Sequence, residues 1–240
     1  KTSEDYFLAG RDMPWWAAML SIVATETSVL TFISIPGLAY RDNWFFLQLA
    51  LGYILGRILV SMFLLPAYFK GGITSIYEVL GERFGKKIQK TASGVFLLTR
   101  ILADGIRFLA TAVIVQVVTG WSLPVAVLVI GAVTVVYTLM GGIRTVVWVD
   151  SFQFVLYLGG GLVAVFYILM HSDASFGSML AQLNDQGKLD ITRWGWDLFS
   201  NPWLFFSAVF GGMLLSFASH GADYMMVQRV LSVRDLAGAR

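Results

Sequence analysis

The stretch "VATETSVLTF" at residues 23–32 places a carboxylate, Glu26, among Thr25, Thr27 and Ser28 in the middle of a long apolar run. The surroundings define the problem. The chain is 57% hydrophobic and only 13% charged, where a soluble domain carries about 25% charged residues. Its apolar residues come in blocks of roughly 20, the length at which a helix crosses a bilayer core. These blocks are too long and too little alternating for barrel strands. The pattern identifies an all-α integral membrane protein in which residues 23–32 interrupt a span with polar groups.

Six spans are expected, at about 14–39, 44–69, 91–119, 123–140, 145–170 and 202–220. Trp15, Trp16, Trp44, Trp121, Trp194, Trp196 and Trp203 sit near their ends, as interfacial aromatics do. Orientation follows from Lys and Arg. With the N-terminal segment inside, inner segments hold Lys1, Arg11, Lys70, Arg83, Lys86, Lys87, Lys90, Arg144, Arg229, Arg234 and Arg240. Outer segments hold only Arg41, Lys188 and Arg193. The N-terminal segment is therefore expected in the cytoplasm of a multi-pass protein of the cell (inner or plasma) membrane. The net charge of +2 gives no reason to expect a nucleic-acid partner, and the absence of cysteine excludes disulfides and thiolate metal sites. There is no initiator Met, and both ends fall in polar stretches, so the chain reads as a fragment of a longer protein.

Between the spans, "GGITSIYEVLGERFGKKIQK" (71–90) opens on a Gly-Gly breaker and continues as a short surface helix, after which the third span begins. The outer loop 171–201 contains "SFGSMLAQLNDQG", an amphipathic helix expected to end at Gly187. "MGGIR" (140–144) is expected to form a tight cytoplasmic hairpin.

Charged groups inside spans cost at least a few kcal/mol each, so their positions are informative. Arg100, Asp104 and Arg107 share one helix face, where Asp104 pairs with either Arg. They form a self-neutralised cluster, or a charged wall that holds an anionic solute. Arg57 is expected to snorkel. Asp150 stands as a lone carboxylate near the cytoplasmic side and needs a partner side chain, a proton or a metal ion; an ion path is the favoured reading. Asp223 follows "SFASHGA", where small residues suggest a helix break. At Glu26 the hydroxyls compete for backbone hydrogen bonds, and Pro36 and Gly37 follow. A span broken there frees carbonyls for a cation and amides for an anion, beside protein or a water-filled cavity. Glu26 is expected there without a fixed partner.

Three segments carry a family resemblance: "EDYFLAGRDMPWWAAMLSIVAT" (4–25), "YTLMGGIRTVVWVDSFQFVLYLGGG" (137–161) and "MVQRVLSVRDLAGAR" (226–240). In order and spacing they resemble the sodium:solute symporter family, which includes sodium–glucose, sodium–sialic acid and sodium–proline cotransporters. The resemblance implies a LeuT-type inverted-repeat core, of which the first five spans are the first repeat and the sixth opens the second. It implies that the backbone carbonyls of Ala24 and Thr27 bind the coupling sodium, and that Asp150 belongs to a second sodium site or to sodium release. Glu26, Leu30 and Thr31 match positions that face the solute. Gln48, Asp104 and Asp223 complete the candidate solute set, with Tyr224 beside the inner gate. Leu30 and Ala50 depart from the amide and carboxylate positions of sugar carriers. The implied activity is sodium-coupled symport of a small polar solute by alternating access: an organic acid, sialic acid, sugar or amino acid. Walker, HExxH and nucleophile-elbow sequences are absent, so an enzyme is not expected. A sensor module derived from a transporter and a channel are the alternatives.

Overall fold

The structure is a computed structural model that describes residues 3–71, 73, 75–196 and 200–240. Lys1 of the charge count, Gly72 of the Gly-Gly breaker, Thr74 of the inner loop and residues 197–199 of the outer loop lie outside the described residues.

A short helix, α1 (Ser3–Leu8), leads through a tight turn at Ala9–Arg11. Pro14 then precedes α2 (Trp15–Glu26), where its fixed φ suits a helix start. Helix α2 stops after Glu26, and α3 (Val29–Arg41) resumes at an angle of 62°. The first expected span is thus two half-helices with Thr27 and Ser28 between them. Pro36 and Gly37 lie inside α3 and do not make the break. Helix α4 (Phe46–Gly71) crosses next and contains a π turn at Val60–Leu64. The inner surface helix is α5 (Ile76–Phe84), capped by Ser75. Gly85 (φ 87°) turns the chain into α6 (Lys86–Thr119).

Helix α7 (Leu123–His171) has 49 residues. At 1.5 Å per residue a straight helix of that length would run about 73 Å, more than twice a bilayer core. Gly142, at φ 62° and ψ −157°, breaks it. The expected hairpin at 140–144 is therefore a one-residue break, with no separate loop. Glycine is required twice over: the φ is positive, and a Cβ there would lie 2.7 Å from the Tyr6 carbonyl oxygen. The outer helix α8 (Phe176–Asp185) runs into Gly187 at φ 65°. Helix α9 (Phe205–Ala222) covers the expected sixth span and is long and apolar enough to cross a membrane, and α10 (Tyr224–Leu231) follows a break at Asp223.

Packing is organised by small residues. Gly52 and Gly56 of α4 face Gly212 and Ser216 of α9. A methyl group added to Gly52 would meet the Val209 carbonyl, and one added to Gly212 would meet the Leu49 carbonyl. Backbone-to-backbone approach of this kind is the small-xxx-small seam of membrane helices. Ser216 donates across it to the Tyr53 carbonyl (3.0 Å), and Tyr68 donates to the Gly221 carbonyl (2.6 Å). Helix α2 buries Ala17, Ser21 and Ala24, spaced about one turn apart, together with Ala18. It packs against α7, where Ser151 donates to the Ala17 carbonyl (3.2 Å) and Trp16 meets Trp148 edge-on. Helices α6 and α7 keep long rows of exposed Val, Leu, Ile and Phe, as lipid-facing helices do.

Two segments staple the ends. At the N-terminus, Gln228 donates to the Phe7 carbonyl (2.7 Å), Arg144 to the Ala9 carbonyl (3.0 Å) and the Met13 amide to the Ser232 carbonyl (3.1 Å). At the other side, Lys188 Nζ donates to the carbonyls of Tyr40 and Arg41 (2.8 Å each) at the C-terminal end of α3, where a cation is favoured.

Candidate functional site

The break between α2 and α3 follows from its side chains. Ser28 takes extended backbone (ψ 166°), and its Oγ accepts the Thr31 amide (3.3 Å) while its carbonyl accepts the Phe32 amide (3.0 Å). That is an ordinary N-cap placed between two apolar half-helices. A helix that stops leaves its last carbonyls without intrahelical donors. Of these, the Val23 carbonyl accepts the Thr27 amide (3.0 Å). Ala24 lies in the last turn of α2 and Thr27 in the break, so both carbonyls belong to the end of that half-helix, beside the first turn of α3. The Ala24 side chain is buried, and Thr31 also lies within hydrogen-bond distance of Ser28 through its hydroxyl (3.3 Å).

Glu26 is not the partnerless carboxylate expected. Arg57 of α4 forms a hydrogen-bonded ion pair with its Oε2. His220 of α9 places Nε2 3.1 Å from its Oε1, close enough for an ion contact but out of line for a hydrogen bond. The correction has a plain cause: a half-buried carboxylate takes the nearest cation, which α4 brings as Arg57, and α9 adds an imidazole beside it. Arg57, expected to snorkel, turns inward for the same reason. The His220 Nδ1 faces the Ser219 hydroxyl (3.1 Å) and the Ser216 carbonyl (3.2 Å). His220 is buried, and it ties the first helix break to the second, three residues before Asp223. Sequence reasoning missed it. The only signal was a histidine within the quoted "SFASHGA" next to a suspected break.

Asp150 also has a partner. Arg229 of α10 donates Nη2 (3.0 Å) and Nε (3.3 Å) to its Oδ2, and Ser21 donates its hydroxyl at 2.6 Å. Thr25 lies 3.4 Å away. Arg229 Nε also reaches Ser21 Oγ (2.9 Å), and Nη1 donates to the Met225 carbonyl (2.9 Å). Of the three options for a lone carboxylate, a partner side chain is the one found. It joins the inner half-helix α2, α7 and α10 in one buried cluster.

The charged face of α6 behaves as expected within the helix and adds one longer contact. Arg100 binds Asp104 (2.7 Å) and reaches Asp223 (3.4 Å), while Arg107 lies 3.5 Å from Asp104. Asp223 caps α10 by accepting the amides of Met225 (2.9 Å) and Met226 (3.3 Å). The Tyr77, Phe96 and Tyr224 rings cluster beside it. Burial pushes the Tyr77 phenol up, and the Asp223 charge adds to that shift.

Gln48 has a different position from the one expected. It is fully buried at the outer end of α4, and its amide nitrogen donates to the carbonyls of Phe45 (3.1 Å) and Trp203 (3.0 Å). Its oxygen accepts the Arg193 amide (3.0 Å). Both N–H groups are spent, on Phe45 and Trp203, which leaves Gln48 no donor for a solute, and its oxygen holds Arg193 of the outer loop. A cavity of about 450 Å³ lies along α2, with Arg57 and His220 in its wall. None of Glu26, Leu30, Thr31, Gln48, Asp104 or Asp223 lines it.

The family model of the sodium:solute symporter family matches residues 6–240. The chain is 30% identical to the human sodium-coupled monocarboxylate transporter 2, over 97% of this chain and 37% of that protein. It is 32% identical to the sodium/sialic acid symporter of Proteus mirabilis, over 89% of this chain and 44% of that protein. It is 29% identical to the human sodium/iodide cotransporter, over 98% of this chain and 36% of that protein. The chain thus spans less than half the length of these relatives. A solved structure of a Na+-coupled sialic acid symporter, in a substrate-bound outward-open state, superposes on the whole chain with a TM-score of 0.89 at 29% identity. The matched chain is covered over 50% of its length, which sets the LeuT-type fold.

Proposed function

The chain belongs to the sodium:solute symporter family, and on that premise we propose that the full-length protein couples inward sodium flow to uptake of a small anionic solute across the cell membrane. The observation that carries this reading is the break at Thr27 and Ser28. Two half-helices meet there at 62°, and the carbonyls at the end of α2 suit a hard cation while the start of α3 suits an anion. The anion preference is supported by the relatives, whose names specify monocarboxylate, sialic acid and iodide. A carboxylic acid is the first candidate; the departures at Leu30 and Ala50 weigh against a sugar.

In this reading sodium is cargo, held by the backbone oxygens of Ala24 and Thr27. Glu26 is held off the ion by Arg57 and His220 and sets the field beside it. Thr31 and Leu30 face the solute from α3. Arg100 draws Asp104 and Asp223 together, so the second break moves with the charged face of α6. Gln48 anchors the outer loop, and Asp150 with Arg229 holds the inner half-helix against α7 and α10. Two sites formed by the same broken helices are coupled, since each ligand favours the geometry the other needs.

The experiment is uptake of a panel containing a monocarboxylate, sialic acid, iodide, a sugar and an amino acid into proteoliposomes of the full-length protein. Uptake of one anion that stops when potassium replaces sodium is expected. Equal uptake in both salts removes the sodium role. A finer test is Ala24. Its ligand atom is a carbonyl, so side-chain changes act by crowding. Ala24→Gly is expected to leave the half-saturating sodium concentration nearly unchanged. Ala24→Leu, inserted at a buried position, is expected to raise it by about tenfold, the effect of an overpacked contact. The reverse order in a sodium titration places Ala24 outside the ion site.

A further inference from the structure

We propose that the turn "ERFGKKIQK" (82–90), between α5 and α6, is a docking surface for acidic phospholipid headgroups of the inner leaflet. Arg83, Lys86, Lys87 and Lys90 are all exposed there, against one exposed carboxylate, Glu82. Among the described residues none of the four cations makes an ion pair. Within the first five residues of α6, Lys90 stands four residues from Lys86 and three from Lys87, so it neighbours both. That end of the helix carries the positive pole of its macrodipole, so three lysines there repel it and the helix supplies no compensation. An external anion does.

The kind of anion is set by what lies between the charges. Phe84 is 61% exposed and Ile88 is 48% exposed. Two large apolar side chains beside four free cations do not suit a soluble phosphate or an acidic peptide, which would need the cations alone. They suit the boundary between headgroup and acyl chain, where apolar groups enter the hydrocarbon edge and lysine stems extend to the phosphates. The patch is also continuous with the lipid-facing side of α6, where Val95, Leu97 and Leu98 are exposed. Basic residues next to a span attract acidic lipid in this way. The inference rests on the orientation given by the charge bias and is independent of what the protein transports.

The test uses the full-length protein in nanodiscs of mixed phosphatidylcholine and phosphatidylglycerol. A donor dye is placed on a cysteine that replaces the exposed Thr91, and energy transfer is read to acceptor-labelled lipid of either headgroup. The acidic probe is expected at about five times its bulk share near the dye, the enrichment that one lysine's attraction supplies. The quadruple variant Arg83→Gln, Lys86→Gln, Lys87→Gln, Lys90→Gln is expected to return it to the bulk share, and the triple variant Lys86→Arg, Lys87→Arg, Lys90→Arg to keep it. Equal transfer to both probes in the wild type, or enrichment that survives the quadruple Gln variant, overturns the proposal. Loss of the enrichment to millimolar inorganic phosphate also overturns it, since the partner is then a soluble anion. Sodium-driven uptake measured in parallel reports separately on the transport reading.

Discussion

Arg229→Ala is expected to destabilise the protein by about 3–5 kcal/mol, the cost of removing one partner from a buried ion pair. Arg229 is 3% exposed, and its guanidinium satisfies Asp150, Ser21 and the Met225 carbonyl together. Alanine leaves the largely buried Asp150 carboxyl without a cation. The size of the effect comes from that orphan more than from the lost attraction. A double variant, Arg229→Met with Asp150→Leu, removes both charges and is expected to recover most of the loss. Thermal unfolding of the purified full-length protein measures the cycle. If Arg229→Ala melts like the wild type, the cluster is not a structural lock, and Asp150 returns to the ion path that the sequence suggested. If the double variant is as damaged as the single one, the packing of Arg229 matters more than its charge.

The second large effect is expected at the α4–α9 seam. Gly211 and Gly212 are neighbours in sequence, yet a Cβ on Gly211 meets nothing within 4 Å, while one on Gly212 meets the Leu49 carbonyl. Gly211→Ala is therefore expected to be neutral or slightly stabilising, since alanine is the better helix former by about 1 kcal/mol. Gly212→Ala is expected to cost roughly 3 kcal/mol, the upper end of overpacking, because backbone on the facing helix has no rotamer with which to yield. Gly52→Ala on the other side of the seam is expected to behave like Gly212→Ala. Yield of monodisperse protein and its melting temperature separate the outcomes. Equal behaviour of the two alanine variants would remove the close approach.

Gly52 and Gly56, and Gly212 and Ser216, each stand four residues apart on apolar spans, but the seam they form was not read from the sequence. What the spacing lacks is the partner, because a small-residue stripe does not say which helix it faces. The same limit explains most differences at the site. The break at "ATETS" could be read from local chemistry, because Ser28 caps the helix that follows it. The charged row Arg100, Asp104 and Arg107 is likewise local, with all three residues on one helix. Glu26 with Arg57 and His220, and Asp150 with Arg229, are pairs between residues 31 to 194 positions apart. Sequence spacing holds no signal for them, so Glu26 and Asp150 read as unpartnered. Gln48 shows the same limit: where its hydrogen bonds go is set by Arg193 and Trp203, far from it in sequence. Gly142 carried a turn signal that was correct in place but too generous in length, since one residue at positive φ suffices.

The proposed coupling is the property these pieces would serve, and coupling is reciprocal. Proteoliposomes of the full-length protein can be loaded with equal sodium on both sides, with a carboxylic acid solute supplied only outside and labelled sodium as tracer. The solute gradient is then expected to drive sodium inward against no gradient of its own until an opposing sodium gradient forms, and Ala24→Leu is expected to blunt that movement. Solute entry with no net sodium movement, in protein shown to be folded and active in uptake, would contradict sodium-coupled symport.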